Sequence, residues 1–320
     1  MALRIDSTNI LLTRRCNLRC YQCKIKSNYP NSPYILPTKE LDEKVWVDFI
    51  ESSGAKFHTL FGGEPLLYPQ LEELISTLNR KGIAYTVISN STLLDRLKKV
   101  PYGLSLSCDG FWKDMDEGTK QRTLLSLRLL PEWKKKGVVD AVAVFTTNAF
   151  NYLQVFGLIG YFTHHRVVTE VTLLDWPHNE WYDFATEWRE GCLENIPKSQ
   201  FDFVMDRLIE MKRQEYLIHN DIPFFEMSKV CGRDASYVCK EPWRALTVDC
   251  DGSLRLCARI KGKRTPQFTI NDLSSEERIK EAMLQDQKEL CRGCNWNCIM
   301  MIESGADFVY HGLRRELWYG

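Results

Sequence analysis

This 320-residue chain lacks any charge imbalance: Lys+Arg and Asp+Glu number 42 each, for a formal net charge of zero. That balance removes a general drive toward nucleic acid or an acidic membrane surface. Long apolar runs are missing too. The least polar stretch, Phe150 to Phe162, is too short to span a bilayer and contains Asn151 and Gln154. No signal peptide is legible, since Met1 to Asp6 leads straight into a strand-like run, and repeats and low-complexity segments are absent. Cysteine, by contrast, is plentiful, with 12 residues. Without a secretory signal, so many thiols point to a reducing, cytoplasmic setting and to metal ligation rather than disulfides.

Three of them, Cys16, Cys20 and Cys23, stand as C-x3-C-x2-C. A structural zinc site closes all four positions of its tetrahedron. Three thiolates on a cubane iron–sulfur cluster instead leave one iron open, which suits a cluster that does chemistry.

Short β-branched or aromatic runs alternate with helical stretches through the first two-thirds of the chain. Strands are expected over Asn9–Thr13, His58–Phe61, Ala84–Ser89, Gly103–Cys108, Val138–Phe145 and Val168–Leu174. Helices are expected over Lys39–Ser52 (with Thr38 as N-cap), Gln70–Lys81, Thr119–Lys136 and Leu153–His165. The alternation implies an α/β fold with a parallel sheet. Six units fall short of a closed eight-unit barrel, so the expectation is an open, partial (β/α)6 barrel of the TIM type. A helical region over about 180–219 follows. The pattern then turns to short strands, turns and cysteines near Pro223, dividing the chain into residues 1–222 and 223–320.

Chemistry in such sheets gathers at the carboxyl ends of the strands. The cysteine trio follows the first strand and Gly62-Gly63-Glu64-Pro65 the second. Asn90 follows the third, and Ser107 and Asp109-Gly110 end the fourth. Their convergence on one face carries more weight than any one motif.

With these motifs in register, the chain resembles the radical S-adenosylmethionine superfamily. The resemblance implies a 4Fe–4S cluster on Cys16, Cys20 and Cys23 whose open iron binds the amino and carboxylate groups of S-adenosylmethionine. It also implies cofactor contacts from Gly62, Gly63, Glu64, Asn90 and Ser107, the glycines allowing close backbone approach to the methionine ammonium. One departure is visible: the family usually has an aromatic residue directly before the third cysteine, whereas here Gln22 stands there and Tyr21 one place earlier. The competing readings of the trio are a three-ligand zinc site and merely buried thiols.

In the last third, Cys239 precedes Gly252 by twelve intervening residues, Cys257 follows after four more, and Cys291 and Cys294 form C-x2-C, with Cys298 close behind. The Asp251-Gly252 pair signals a two-residue hairpin between Ala245–Cys250 and Ser253–Ala258. Cys250, opposite Ser253, would then lie roughly 13 Å or more from Cys257 at ~3.3 Å per residue, too far for both to hold one cluster. The better set is Cys239, Cys257, Cys291 and Cys294. This spacing resembles the twitch domain, the shortened SPASM extension, which implies a small hairpin-and-helix domain with a second, closed 4Fe–4S cluster. A four-cysteine zinc site competes with it. Cys298 could replace one ligand, Cys231 is a spare, and Cys108 and Cys192 read as buried thiols. Asp175 and His178, after the sixth strand, are candidates for substrate contact or loop capping.

The expected activity is reductive cleavage of S-adenosylmethionine to a 5′-deoxyadenosyl radical, followed by hydrogen abstraction and oxidation of a small polar metabolite such as a sugar, aminocyclitol or nucleoside. The auxiliary cluster would accept the electron, in a layout similar to butirosin-type aminocyclitol dehydrogenases. The molybdenum-cofactor GTP cyclases share the layout loosely but leave their auxiliary cluster open to substrate, against which the extra cysteines argue. The early first strand leaves no room for a leading peptide-recognition domain, which favours a small molecule over a ribosomal peptide. A flavodoxin- or ferredoxin-like reductant is implied as partner, with no nucleic acid and no membrane. The alternatives are a peptide-modifying enzyme, a redox-neutral lyase, decarboxylase or epimerase, and a non-catalytic iron–sulfur or zinc scaffold.

Overall fold

The structure is a computed structural model, which describes residues 4–20, 39–174, 190–233, 236–255 and 268–290. Strands β1 (Ser7–Thr13), β2 (Phe57–Gly62), β3 (Tyr85–Ser89), β4 (Gly103–Ser107), β5 (Asp140–Thr147) and β6 (Val168–Leu173) neighbour one another in chain order, all parallel. Helices α1 (Glu43–Ser52), α2 (Leu71–Lys81), α3 (Glu117–Lys135) and α4 (Val155–His164) form four of the crossovers, and a short 3₁₀ turn at Leu94–Arg96 lies in the fifth. Right-handed crossovers between sequential strands keep all helices on one face, which makes the arrangement an incomplete barrel as expected.

The strands are buried on both faces, but differently. Ile10, Leu12, Leu60, Val87, Leu104, Leu106, Ala141 and Ala143 join the apolar cluster under the helices. The alternate residues Asn9, Thr59, Thr86 and Ser105 form a buried polar face, as the two-residue period requires. Thr86 and Ser105 hydroxyls meet at 2.9 Å there.

Three local expectations need correction. First, α1 begins at Glu43 with Asp42 as N-cap, while Thr38 lies outside the described residues. Residues just before the helix are committed elsewhere: Leu41 N–H donates to the Cys250 carbonyl at 2.9 Å, and the Tyr68 hydroxyl to the Leu41 carbonyl at 2.7 Å. Second, the change to short strands does not come at Pro223. Helix α5 (Lys198–Arg213) is followed by α6 (Ile222–Cys231), with Pro223 in its first turn, where a missing N–H costs nothing. Third, the hairpin has a three-residue loop. β7 (Ala245–Val248) and β8 (Leu254–Arg255) pair Val248 with Leu254, and Asp249 N–H donates to the Ser253 carbonyl at 2.9 Å. Cys250, Asp251 and Gly252 therefore form the loop, closed by Gly252 at φ +85°. Cys250 is not opposite Ser253, so its spacing from Cys257 does not follow from strand geometry.

The hairpin also joins the barrel. β7 runs parallel beside β1, giving one sheet in the order β6-β5-β4-β3-β2-β1-β7-β8. Leu246, Val248 and Leu254 share the main apolar cluster with Ile279 and Met283 of α7 (Glu276–Leu290). α4, α5 and α6 pack a second cluster around Phe145, Ile159, Phe201, Phe224 and Phe225. No helix among the described residues is long and apolar enough to cross a membrane.

Asp140, at the amino end of β5, is fully buried, and neither carboxyl oxygen has a hydrogen-bond partner. Burial pushes its carboxyl up to about 7, against the opposing charge of Lys134 and with that of Glu170. A raised acid contributes fully below its unfolded pKa of about 3.9 and loses that contribution as pH rises through the folded value. Asp140→Asn is therefore expected to gain on the wild type between pH 4 and pH 7, by up to about 1.4 kcal/mol per pH unit. Urea midpoints across that range measure the gain, and a pH-independent difference contradicts it.

Candidate active site at the carboxyl ends of the strands

The loop after β1 carries Cys16, half-buried, and Cys20, buried, while Cys23 lies outside the described residues. It is fastened to the turn after β2. Gly63 N–H donates to the Thr13 carbonyl and Glu64 N–H to the Arg15 carbonyl, both at 2.8 Å. A Cβ on Gly62 would sit 2.2 Å from the Thr13 oxygen, and one on Gly63 2.2 Å from the Arg15 oxygen. The paired glycines are thus required by the close approach of two backbones, a reason internal to the chain and additional to any cofactor contact.

Glu64 is fully buried, and its carboxylate accepts bonds from Ser89 Oγ at 2.9 Å, Asn90 N at 2.8 Å and Leu66 N at 3.2 Å. Burial pushes the carboxyl pKa up, against the pull of these donors. Its evident work is to tie the ends of β2 and β3 together. Asn90 continues the tie, with Nδ2 donating to Asn17 Oδ1 at 2.9 Å and lying 3.9 Å from Cys16 Sγ. Ser107 joins less directly: its carbonyl accepts from Ser126 Oγ at 2.7 Å, and Ser126 meets Ser91 Oγ at 2.6 Å. Cys16, Gly62, Gly63, Glu64 and Asn90 are therefore brought together, with Ser107 at the margin.

One functional pair was missed in the sequence. Arg122 of α3 is buried, pairs with the fully buried Asp109 carboxylate, and donates from Nη1 to Cys20 Sγ at 3.3 Å. Thr146 N–H fixes the other Asp109 oxygen at 2.9 Å. A signal did exist, because Thr119, Arg122, Thr123 and Ser126 form a buried polar stripe at i, i+3, i+4 and i+7 of α3. Cys108, Cys192 and Cys231 are buried thiols, and burial pushes that of Cys108 up to about 12.

The donors around Cys16 and Cys20 suit thiolates. Leu18 N–H points to Cys16 Sγ at 3.4 Å, and the Arg122 guanidinium to Cys20 Sγ. N–H donors and a fixed positive charge favour the ionised, metal-binding form of cysteine, so both residues fit a cluster site. Of the C-terminal group, Cys239 is half-buried and accepts from Gln287 Nε2 of α7 at 3.2 Å. Cys257, Cys291, Cys294 and Cys298 lie outside the described residues, as do Asp175 and His178.

A charge triad centred on the buried Asp249 spans the two cysteine-bearing regions. Arg14, two residues before Cys16, donates from Nε to Asp249 at 2.9 Å. Arg255, two residues before Cys257, donates from Nη2 to the same carboxylate at 2.7 Å.

A parallel βα sheet with a cysteine loop clasped by a Gly-Gly-Glu-Pro turn at its carboxyl end defines a class. Residues 10–148 match the model of the Radical SAM superfamily, and over that stretch the chain is similar to that superfamily, whose enzymes use a 4Fe–4S cluster and S-adenosylmethionine. Among curated relatives, an Fe-coproporphyrin III synthase of Methanosarcina barkeri is 33% identical over 150 residues, 44% of this chain and 36% of that protein. A GTP 3',8-cyclase of Staphylococcus haemolyticus is 24% identical over 62% of this chain and 63% of its own length. The chain thus spans between about a third and under two thirds of these relatives. Streptococcus suis SuiB bound to precursor peptide SuiA superposes with a TM-score of 0.62 at 14% identity, over 92% of this chain and 70% of that one. AdoMet-bound anSMEcpe gives 0.55 at 15% identity, over 93% and 95%. These two likenesses establish the fold.

Asp249 offers a test of the triad. Burial alone would raise its pKa, but hydrogen bonds from Arg14 and the charge of Arg255 hold the carboxyl well below the usual range. A depressed acid stabilises above its unfolded pKa of about 3.9 and loses that contribution as pH falls. Asp249→Asn is expected to lose about 2–3 kcal/mol at neutral pH, because two half-buried cations lose their buried anion. The deficit should shrink below pH 4 in guanidinium melts, and a deficit constant down to pH 3 contradicts the assignment.

Proposed function

We propose that this chain is a radical SAM enzyme that oxidises a small polar metabolite, of the sugar, aminocyclitol or nucleoside class, with a second 4Fe–4S cluster on Cys239, Cys257, Cys291 and Cys294 as electron acceptor. In this reading Cys16, Cys20 and Cys23 hold the first cluster, and Gly62, Gly63, Glu64, Asn90 and Ser107 surround its cofactor. When bound, these groups supply a radical that removes one hydrogen atom from a substrate C–H, and a sink for the electron that leaves as a hydroxyl proton departs and a carbonyl forms.

The protein's share is positioning and exclusion of water. The turn after β2 holds the cysteine loop rigid by its two backbone bonds. The buried polar face of Asn9, Thr59, Thr86 and Ser105 suits a substrate rich in hydroxyl groups. Two relatives agree with this class: a GTP cyclase and an S-adenosylmethionine-dependent nucleotide dehydratase, the latter 31% identical over 33% of the chain.

The observation that carries the second cluster is the Gln287–Cys239 contact at the open end of the hairpin. The chain passes Cys239 on its way into β7, and β8 runs antiparallel back toward that end, with Arg255 two residues short of Cys257. α7 meanwhile delivers the chain to Cys291, four residues beyond Gln287. These directions support one shared site.

Anaerobic reconstitution tests the reading. About eight irons per chain are expected, four for each cubane, with a Cys239→Ala chain retaining about four and still forming 5′-deoxyadenosine on reduction. Bound zinc in place of the second cluster overturns the acceptor, and 5′-deoxyadenosine from a Cys16→Ala chain overturns the first site. A product of unchanged oxidation state, or turnover only on a peptide, overturns the proposed reaction.

A further inference from the structure

Buried positive charge is costly unless it is matched, and a carboxylate matches Arg122. Its Nη2 engages Asp109, while Nη1 is aimed at Cys20 Sγ at 3.3 Å. Asp109 is immobilised for this purpose. Thr146 N–H holds one carboxylate oxygen at 2.9 Å, Thr123 Oγ1 accepts the Asp109 N–H at 3.2 Å, and Asn151 Nδ2 donates to its carbonyl at 2.7 Å. The turn after β4 and the first turns of α3 thus aim a permanent cation at one cysteine of the loop. At Cys16 the neutral Leu18 N–H lies 3.4 Å from the sulfur and the Asn90 amide 3.9 Å.

We propose that Arg122, positioned by Asp109, sets the reduction potential of the N-terminal cluster by donating a charged hydrogen bond to the Cys20 sulfur. The inference rests on the reading that Cys16, Cys20 and Cys23 hold that cluster. Reduction adds one electron from an external reductant of the flavodoxin or ferredoxin class, and much of the added charge falls on the sulfurs. A cation and an N–H donor at a ligating sulfur stabilise the reduced state and raise the potential. The oxidised cluster gains less, so the difference appears in the equilibrium rather than in assembly. Asp109 acts through Arg122 and is a positioning residue.

The test is an EPR-monitored redox titration of the reconstituted full chain without S-adenosylmethionine, in a Cys239→Ala background that leaves only the N-terminal cluster, comparing that chain with the same chain carrying Arg122→Gln, Arg122→Lys or Asp109→Asn. Arg122→Gln is expected to shift the equilibrium about tenfold toward the oxidised form, about 59 mV lower for one electron. Arg122→Lys keeps the charge but cannot serve both partners, so a smaller shift in the same direction is expected. Asp109→Asn, which loosens the guanidinium, is expected to lower the potential and broaden the signal. If Arg122→Gln does not load iron, the lysine and asparagine chains decide. Potentials unchanged in both overturn the inference. An unshifted potential with weakened S-adenosylmethionine binding also overturns it, since Arg122 then serves the cofactor and not the sulfur. A Cys239→Ala chain with Arg122 and Asp109 intact that forms no 4Fe–4S signal is a different result, and overturns the reading of the cysteine trio itself.

Discussion

Two backbone hydrogen bonds, Gly63 N–H to the Thr13 carbonyl and Glu64 N–H to the Arg15 carbonyl, are the constraint on which the site depends. They draw the turn after β2 so close to the cysteine loop that no side chain fits between them. Once that contact is made, the Glu64 carboxylate reaches the end of β3, and Asn90 reaches back to Asn17 inside the loop. The loop between Cys16 and Cys20 is thereby clasped from β2 and β3, and from α3 through Arg122. A cluster ligand set needs such over-determination, because thiolates held within a few tenths of an ångström cannot rest on a free surface loop.

Overall neutrality conceals how charge is used. Asp109 and Arg122 bury their charges beside Cys20, and the buried Asp249 is matched by the half-buried Arg14 and Arg255, each two residues from a cysteine of the candidate ligand sets. Most other ion pairs are solvated, such as Lys198–Asp202 and Arg207–Glu210, and contribute little. Buried pairs stabilise less than apolar packing of equal volume, but they fix geometry, since a misplaced partner leaves a charge unmatched. That is the property a cofactor loop requires.

The barrel was legible because its strands and helices keep the 2.0 and 3.6 periods cleanly, and because GGEP is a motif with a steric cause. What escaped sequence reasoning depends on tertiary partners. α1 starts at Glu43 because Leu41 bonds to Cys250, over two hundred residues away. The hairpin loop takes Cys250 into it because Asp249 is held by two arginines and Gly252 closes the loop in the left-handed region. The expected change to short strands near Pro223 does not occur there, because the first turn of α6 tolerates a proline. Asp109 and Arg122 lie too far apart in sequence to announce a pair, and only the polar stripe of α3 hinted at it.

The outer strands of the sheet are not left bare. Along β6, Thr169 exchanges backbone bonds with Leu217 and His219, and beyond β8 Leu254 N–H donates to the Phe268 carbonyl while Ile270 N–H donates to that of Gly252. At those positions the rims are occupied by the chain's own segments. An extended polymer cannot enter there by lengthening the sheet with a strand of its own. A molecule that comes against the sheet at those positions meets the chain's own backbone rather than a free strand edge.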